Sequence, residues 1–216
     1  MQRMGTFKFR GAYNAIAQIP QTLGRLGVIT YSSGNHAQTT VLSACIAGVP
    51  AAILMPANTA AVKIEAACGY GATVVLYDRF RDDRKAMGAA LIAAHCYTLV
   101  PPFDHADVIA GQGTAALELL EAVGGLDVLV ITLGGGGLLA GSALAAQLLL
   151  PRCKVVDVEP DASNDGLLAL RAGRIVRIPP PQALPEGALR ATNKSLSSPS
   201  AGCALTVHGK EKKQGS

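Results

Sequence analysis

Apolar and polar positions along the chain switch repeatedly between a helical and a strand-like period. Phe7 to Ile19 spaces apolar and small residues as a helix does, and Gly27 to Tyr31 is a short β-branched run that reads as a strand. Ser32-Ser33-Gly34-Asn35 is a turn, and His36 to Gly48 is a helix with an Ala-rich face. Ala51 to Met55 is the next strand, ended by Pro56; Ala60 to Gly69 is a helix that its glycine stops. Ala72 to Leu76 (strand), Phe80 to His95 (helix) and Tyr97 to Val100 (strand, ended by Pro101-Pro102) follow. Then come a helix over Gly113 to Val123, a strand over Val128 to Thr132 and a helix over Leu138 to Leu150, stopped by Pro151. A strand over Lys154 to Glu159 and a helix over Asp165 to Gly173 complete the pattern.

Strands alternating with helices imply βαβ units. The expected fold class is α/β, with parallel twisted sheets covered by helices on both faces. Ligands of such sheets bind beyond the carboxyl ends of the strands. The loops at 32–35, 134–137 and 159–165 each follow a strand, so all three are candidates for one shared site. After Arg190 the periodicity dissolves into Ser, Thr, Gly and Lys, and 191–216 reads as a solvated, disordered tail.

Composition narrows the picture. Half the chain is apolar, only 4% is aromatic and there is no Trp, so the core must be built from Ala, Val, Leu and Ile. The net charge is +4; the tail holds Lys194, Lys210, Lys212 and Lys213 against Glu211, which leaves the body near neutral. A nucleic-acid partner is not expected, because that needs clustered cations on a folded surface. Val128 to Leu150 carries no charge, yet four consecutive glycines in its middle would break a spanning helix, so no membrane partner is expected either. Five Cys without C-x-x-C spacing, and no visible signal peptide, suit free thiols in a cytoplasmic protein.

Three segments carry candidate chemistry. Gly134-Gly135-Gly136-Gly137-Leu138 joins a strand to a helix, so several backbone N–H groups and the helix N-terminus can converge on an anion. Neither a Gly-Lys-Ser/Thr nor a G-x-G-x-x-G pattern accompanies it, so it is a phosphate cradle without a nucleotide signature, or else a structural glycine turn. Ser32-Ser33-Gly34-Asn35-His36 offers hydroxyl, amide and backbone donors at a helix start, where it serves equally as a plain N-cap. Thr6-Phe7-Lys8-Phe9-Arg10-Gly11 sets one lysine between two phenylalanines. Isolated, that is a surface lysine; in an apolar pocket, its lowered proton affinity would let it condense with an aldehyde.

In order and spacing these segments resemble the fold-type-II pyridoxal-phosphate family, in particular threonine dehydratase and serine racemase. The resemblance runs from about Arg3 to about Arg190. It is carried by Gly5 to Ala12, Ser32 to Gln38, Pro101-Pro102-Phe103-Asp104-His105, Ile109 to Thr114 and the tetraglycine loop. It implies a tryptophan-synthase-β-like architecture: a large cofactor domain from 1–26 and 101–190, and a small domain over 27–100. It implies that Lys8 bears pyridoxal 5'-phosphate and takes the substrate α-proton, and that Phe7 flanks the cofactor ring. Asn35 would bond the phenolic oxygen and Gly134, Gly135, Gly136, Gly137 and Leu138 the phosphate. Ser32, Ser33, Gly34 and His36 would line the substrate carboxylate, with Ser33 handling a proton on the face opposite the lysine. In the racemase branch, Glu159, the Ser163 carbonyl and Asp165 match the ligands of Mg2+ or another divalent cation.

The resemblance implies a homo-oligomer that acts on an amino acid, L-threonine or L-serine, and releases a 2-oxoacid and ammonia. Pro101 to His105 favours the dehydratase; serine racemase and an inactive fragment that only binds partners are the alternatives. Family members carry a segment before the lysine motif. Past Pro185 to Ala188 they add strands, helices and a Ser-Gly segment that contacts the pyridine nitrogen. A chain truncated at both ends is therefore expected.

Overall fold

The computed structural model describes residues 3–24, 26–160, 164–176, 178 and 191–195. Contacts divide the chain into two compact units, Met1–Gly111 and Gln112–Ser216. The first long helix packs on a helix of the first sheet.

The first unit begins with a 3-10 turn (Arg3–Gly5) and runs through α1 (Lys8–Ala17), α2 (Gln21–Gly24), β1 (Val28–Tyr31), α3 (Asn35–Ala47) and β2 (Ala51–Pro56). It continues with α4 (Ala61–Gly69), β3 (Thr73–Tyr77), α5 (Arg84–His95), β4 (Thr98–Leu99) and the start of α6 (Ala106–Val123). Its four strands are all parallel, in the order β3-β2-β1-β4. The winding goes from β1 to β2 to β3 on one side, and β4 then returns to the other side of β1. The carboxyl ends of β1 and β4 therefore flank a topological switch point, where doubly wound sheets place their ligands.

Both faces of β1 and β2 are buried, as a parallel sheet requires. Val28, Ile53 and Met55 join Ala15, Ile16, Ala37, Val41 and Ala44 in one cluster, so α1 and α3 cover that face. On the other face, Tyr31 packs against α5 at Gly88, where any Cβ would collide with the ring. The small side chains of α3 let α1 lie close; burying them removes apolar surface from water at roughly 25 cal/mol per Å².

Two helices start elsewhere than the pattern predicts. The α5 helix begins at Arg84 rather than Phe80, because the Asp83 carboxylate caps it, accepting from Lys85 N and Ala86 N. The α6 helix begins at Ala106 rather than Gly113. Gly111 and Gly113 read as breakers, but they sit inside the helix where other backbone comes close. A Cβ on Gly111 would lie 2.5 Å from Arg10 O and 2.7 Å from Gly11 Cα. One on Gly113 would lie 2.6 Å from Gly141 O.

The second unit holds the rest of α6, β5 (Val128–Thr132), α7 (Gly137–Leu149), β6 (Lys154–Pro160), α8 (Asp165–Ala172) and β7 (Ala191–Ser195). The β5 and β6 strands are parallel, over a cluster that includes Leu120, Leu129, Leu139, Ala143 and Val155. The β7 strand lies inside the expected tail and pairs antiparallel with β6. Backbone pairing needs no side-chain period, which is why the sequence pattern misses it. No helix among the described residues is long and apolar enough to cross a membrane.

Gly111→Ala is expected to destabilise the protein by about 1–3 kcal/mol in urea unfolding, since the added methyl meets backbone that cannot rotate away. Gly69→Ala, which has nothing within 4 Å of its new Cβ, should be neutral or slightly stabilising in the same measurement.

Candidate active site

The carboxyl ends of β1 and β4 carry most of the residues singled out in the first unit. The β1 strand ends at Tyr31 and runs into Ser32-Ser33-Gly34; β4 ends at Leu99 and runs into Val100-Pro101-Pro102. The Val100 N–H donates to Ile29 O at 2.9 Å, so the two ends are tied together.

Lys8 opens α1 and is half-buried. Its Nζ donates to Pro102 O at 2.6 Å and lies 5.4 Å from the centroid of the Phe7 ring. Burial pushes its pKa below the usual lysine value, because taking the ammonium out of water penalises the charged form. The partner is a neutral carbonyl, which holds the amine without the countercharge that would keep it protonated.

The N-terminus of α3 is built from the second motif. Gly34 is the N-cap, extended at φ −112°, and no side chain caps the helix. The Gly34 N–H instead donates to Ser32 Oγ at 3.2 Å. The first-turn N–H groups are thus left without a side-chain cap at the positive end of a 13-residue helix, an arrangement that suits a carboxylate. Asn35 is exposed there, and Ser32 and Ser33 are half-buried.

His36 is buried, 3% exposed. Its Nε2 lies 3.0 Å from Val100 O and 3.4 Å from Thr40 Oγ1, while Nδ1 has no partner. A carbonyl only accepts, so the proton sits on Nε2 and the ring is neutral. Its pKa is lowered to about 4, first by burial, against the opposing Val100 hydrogen bond, and with a further push from the Lys8 charge. Sequence reasoning missed the Val100 and Pro102 carbonyls, since a backbone acceptor leaves no residue signature; the Pro-Pro pair was the one available hint.

The glycine loop lies in the second unit, beyond the carboxyl end of β5. Gly136 is the N-cap of α7 at φ +86°, with no side-chain cap, and a Cβ on Gly134 would meet nothing within 4 Å. Open approach and uncapped N–H groups at the start of α7 fit the phosphate of the implied cofactor. A cleft of about 830 Å³ in the same unit, lined by Gly125–Asp127 and Leu149–Cys153, sits at the amino end of β6, away from this loop.

The implied cation ligands fare differently. Ser163 lies outside the described residues. Glu159 is buried, and its carboxylate accepts from Gly166 N at 3.2 Å and Leu167 N at 2.8 Å. It caps α8, whose own N-cap residue, Asn164, makes no side-chain cap bond. Asp165 is the acidic residue in the first turn of that helix. Among the described residues, no three His, Cys, Asp or Glu side chains are grouped to hold a metal.

Because the His36 pKa lies below its unfolded value of 6.5, the unfolded chain takes up a proton that the folded one refuses as pH falls from 6.5 to about 4. Stability is present above that window and lost through it, by on the order of 3 kcal/mol at most. Urea unfolding across the window, with the imidazole followed by NMR, checks this; His36→Gln should lack that part of the slope.

Comparison with known proteins agrees with this geometry. The model of the "Pyridoxal-phosphate dependent enzyme" family matches residues 1–204. The chain is 54% identical over 187 residues to an L-threo-3-hydroxyaspartate ammonia-lyase of Saccharomyces cerevisiae, covering 87% of this chain and 57% of that protein. It is 52% identical to a serine racemase of Schizosaccharomyces pombe, over 87% of this chain and 58% of the relative. The crystal structure of serine racemase from Dictyostelium discoideum superposes with a TM-score of 0.79 at 41% identity, over 82% of this chain and 58% of the other. The chain thus spans somewhat over half the length of these relatives. A half-buried lysine at the switch point, an uncapped helix beside it, a glycine cradle and these matches together place the chain in the fold-type-II family of pyridoxal-phosphate-dependent enzymes.

Proposed function

We propose that this protein eliminates ammonia from β-hydroxy-α-amino acids, L-serine and L-threonine first, with Lys8 bearing pyridoxal phosphate and Gly134–Leu138 holding its phosphate. The observation that carries the reading is the Lys8 amine, withdrawn from water, lowered in proton affinity and held by a carbonyl at the switch point. The relative that acts on 3-hydroxyaspartate adds that amino acid as a third substrate to try.

The roles of the residues follow from their chemistry. The open N–H groups of α3, with Ser32 and Ser33, bind the substrate carboxylate and orient the amino acid. Asn35 would offer its amide to the cofactor's phenolic oxygen, and Phe7 would flank its ring. Lys8 Nζ, freed when the substrate's amine takes its place on the cofactor and favoured as a neutral amine by burial, would take the α-proton. When bound, the cofactor supplies the electron sink for the pair left on the α-carbon. The β-hydroxyl would take up a proton and leave as water, and water adding back to the released 2-aminoacrylate, as its imine tautomer, would give the 2-oxoacid and ammonia.

Serine racemisation is the second reading, favoured by the 52% identity to a serine racemase; in it Ser33 would handle the proton on the face opposite Lys8. A divalent cation at Glu159, Ser163 and Asp165 would belong with that reading, and would share the Glu159 carboxylate with the α8 amides it accepts from.

The test is direct. After incubation with pyridoxal phosphate and borohydride reduction, mass spectrometry should find the cofactor on Lys8 and none in Lys8→Ala. Ammonia release from the three substrates, set against D-serine formation, separates elimination from racemisation. A chain that takes up no cofactor would sink both and leave a binding protein. Gly136→Ala should weaken cofactor retention about five- to thirtyfold, because a side chain at φ +86° costs roughly 1–2 kcal/mol.

A further inference from the structure

The segment from β4 to α6 has an anchoring problem. Val100 is the last residue held to the sheet by its N–H, which donates to Ile29 O. Pro101 and Pro102 follow, and neither has an N–H to donate. Anchoring of this stretch therefore falls to its carbonyls. Two of them are held: Val100 O lies 3.0 Å from His36 Nε2, and Pro102 O accepts from Lys8 Nζ at 2.6 Å.

The two carbonyls are mechanically linked. Each proline ring fixes its φ near −65°, so little slack separates Val100 O from Pro102 O. A displacement at the first is passed to the second. His36 itself is firmly placed: it is 3% exposed, lies in the first turn of α3, and has Thr40 one turn on at 3.4 Å from the same nitrogen. Thr39, one residue earlier, donates to Asn35 O at 2.8 Å and to His36 O at 3.1 Å, which stiffens that first turn.

Resting on the reading of Lys8 as the cofactor-bearing amine, we infer that His36 is a positioning residue for Lys8: through Val100 O and the stiff Pro101-Pro102 link it fixes the carbonyl on which the Lys8 amine rests. The imidazole touches neither the amine nor the reacting atoms in this role; it acts through the backbone. Neutrality is part of it. A second proton, on Nδ1, would bury a cation close enough to Lys8 for the two charges to oppose each other.

The experiment uses the full chain without cofactor. Competitive acylation with acetic anhydride, read by mass spectrometry, gives the rate at Lys8 relative to the exposed Lys63 and Lys85. His36→Leu removes the donor and frees the carbonyl, so Lys8 should label about three- to tenfold faster, the equivalent of one ordinary hydrogen bond, with Lys63 and Lys85 unchanged. His36→Gln keeps an N–H near the Nε2 position and should restore the wild-type ratio. Pro101→Gly leaves the imidazole alone but loosens the link, and should raise the ratio as His36→Leu does; it carries the test if the leucine variant does not fold. Unchanged or slower Lys8 labelling in the folded donor-less and loosened variants overturns the inference, as does failure of the glutamine variant to restore the ratio. Because the readout needs no cofactor, it is separable from the reading it rests on. Wild-type protein that fails to take pyridoxal phosphate on Lys8 sinks that reading alone.

Discussion

The hydrogen bond from Lys8 Nζ to the Pro102 carbonyl is the contact around which the first unit is arranged. A lysine amine half out of water has to be held somewhere, and what holds it sets its chemistry. A carboxylate would make it a permanent cation; water would leave it an ordinary surface lysine. A carbonyl presented from the carboxyl end of β4 does neither. Its presentation there depends on the strand order, since only the crossover that sets β4 beside β1 brings Pro102 and the Ser32–His36 turn to the same end of the sheet.

The rest of the first unit supports that arrangement by close packing of small residues. The α1 and α3 helices meet over alanines, and α3 carries Thr39, Thr40 and Ser43 inside with almost no exposure. Thr39 and Ser43 satisfy their hydroxyls on α3's own carbonyls, Ser43 Oγ reaching Thr39 O at 2.7 Å. A buried hydroxyl bonded to its own helix avoids the desolvation cost of an orphan polar group.

Much of this was legible in the sequence. β-branched runs ended by Gly or Pro marked the strands, and the Ser-Ser-Gly-Asn-His and tetraglycine motifs marked two strand-to-helix turns, because glycine turns and helix starts are punctuated by residue type. The illegible parts share a cause: they depend on backbone or on neighbours far along the chain. The Val100 and Pro102 carbonyls look like any others. Gly111 and Gly113 signal a break unless the opposing helix is known. Glu159 and Asp165 read as a cation pair; that the Glu159 oxygens also accept from the amides of α8 is a use that spacing alone does not reveal. The β7 strand is specified by pairing with β6 rather than by its own pattern.

The approach of Gly111 to Arg10 O and Gly11 Cα bears on the amine from behind. Those two α1 residues lie within the same helical turn as Lys8, so the bare glycine backbone of α6 is the backstop that decides how deeply this turn seats. Bulk gained at that one position would lift the turn as a rigid piece and carry the lysine outward, re-aiming it without altering any residue that touches it. Reactivity at the carboxyl end of the sheet is in this way tied to a steric depth gauge on a neighbouring helix, where a comparison of site residues alone would not look.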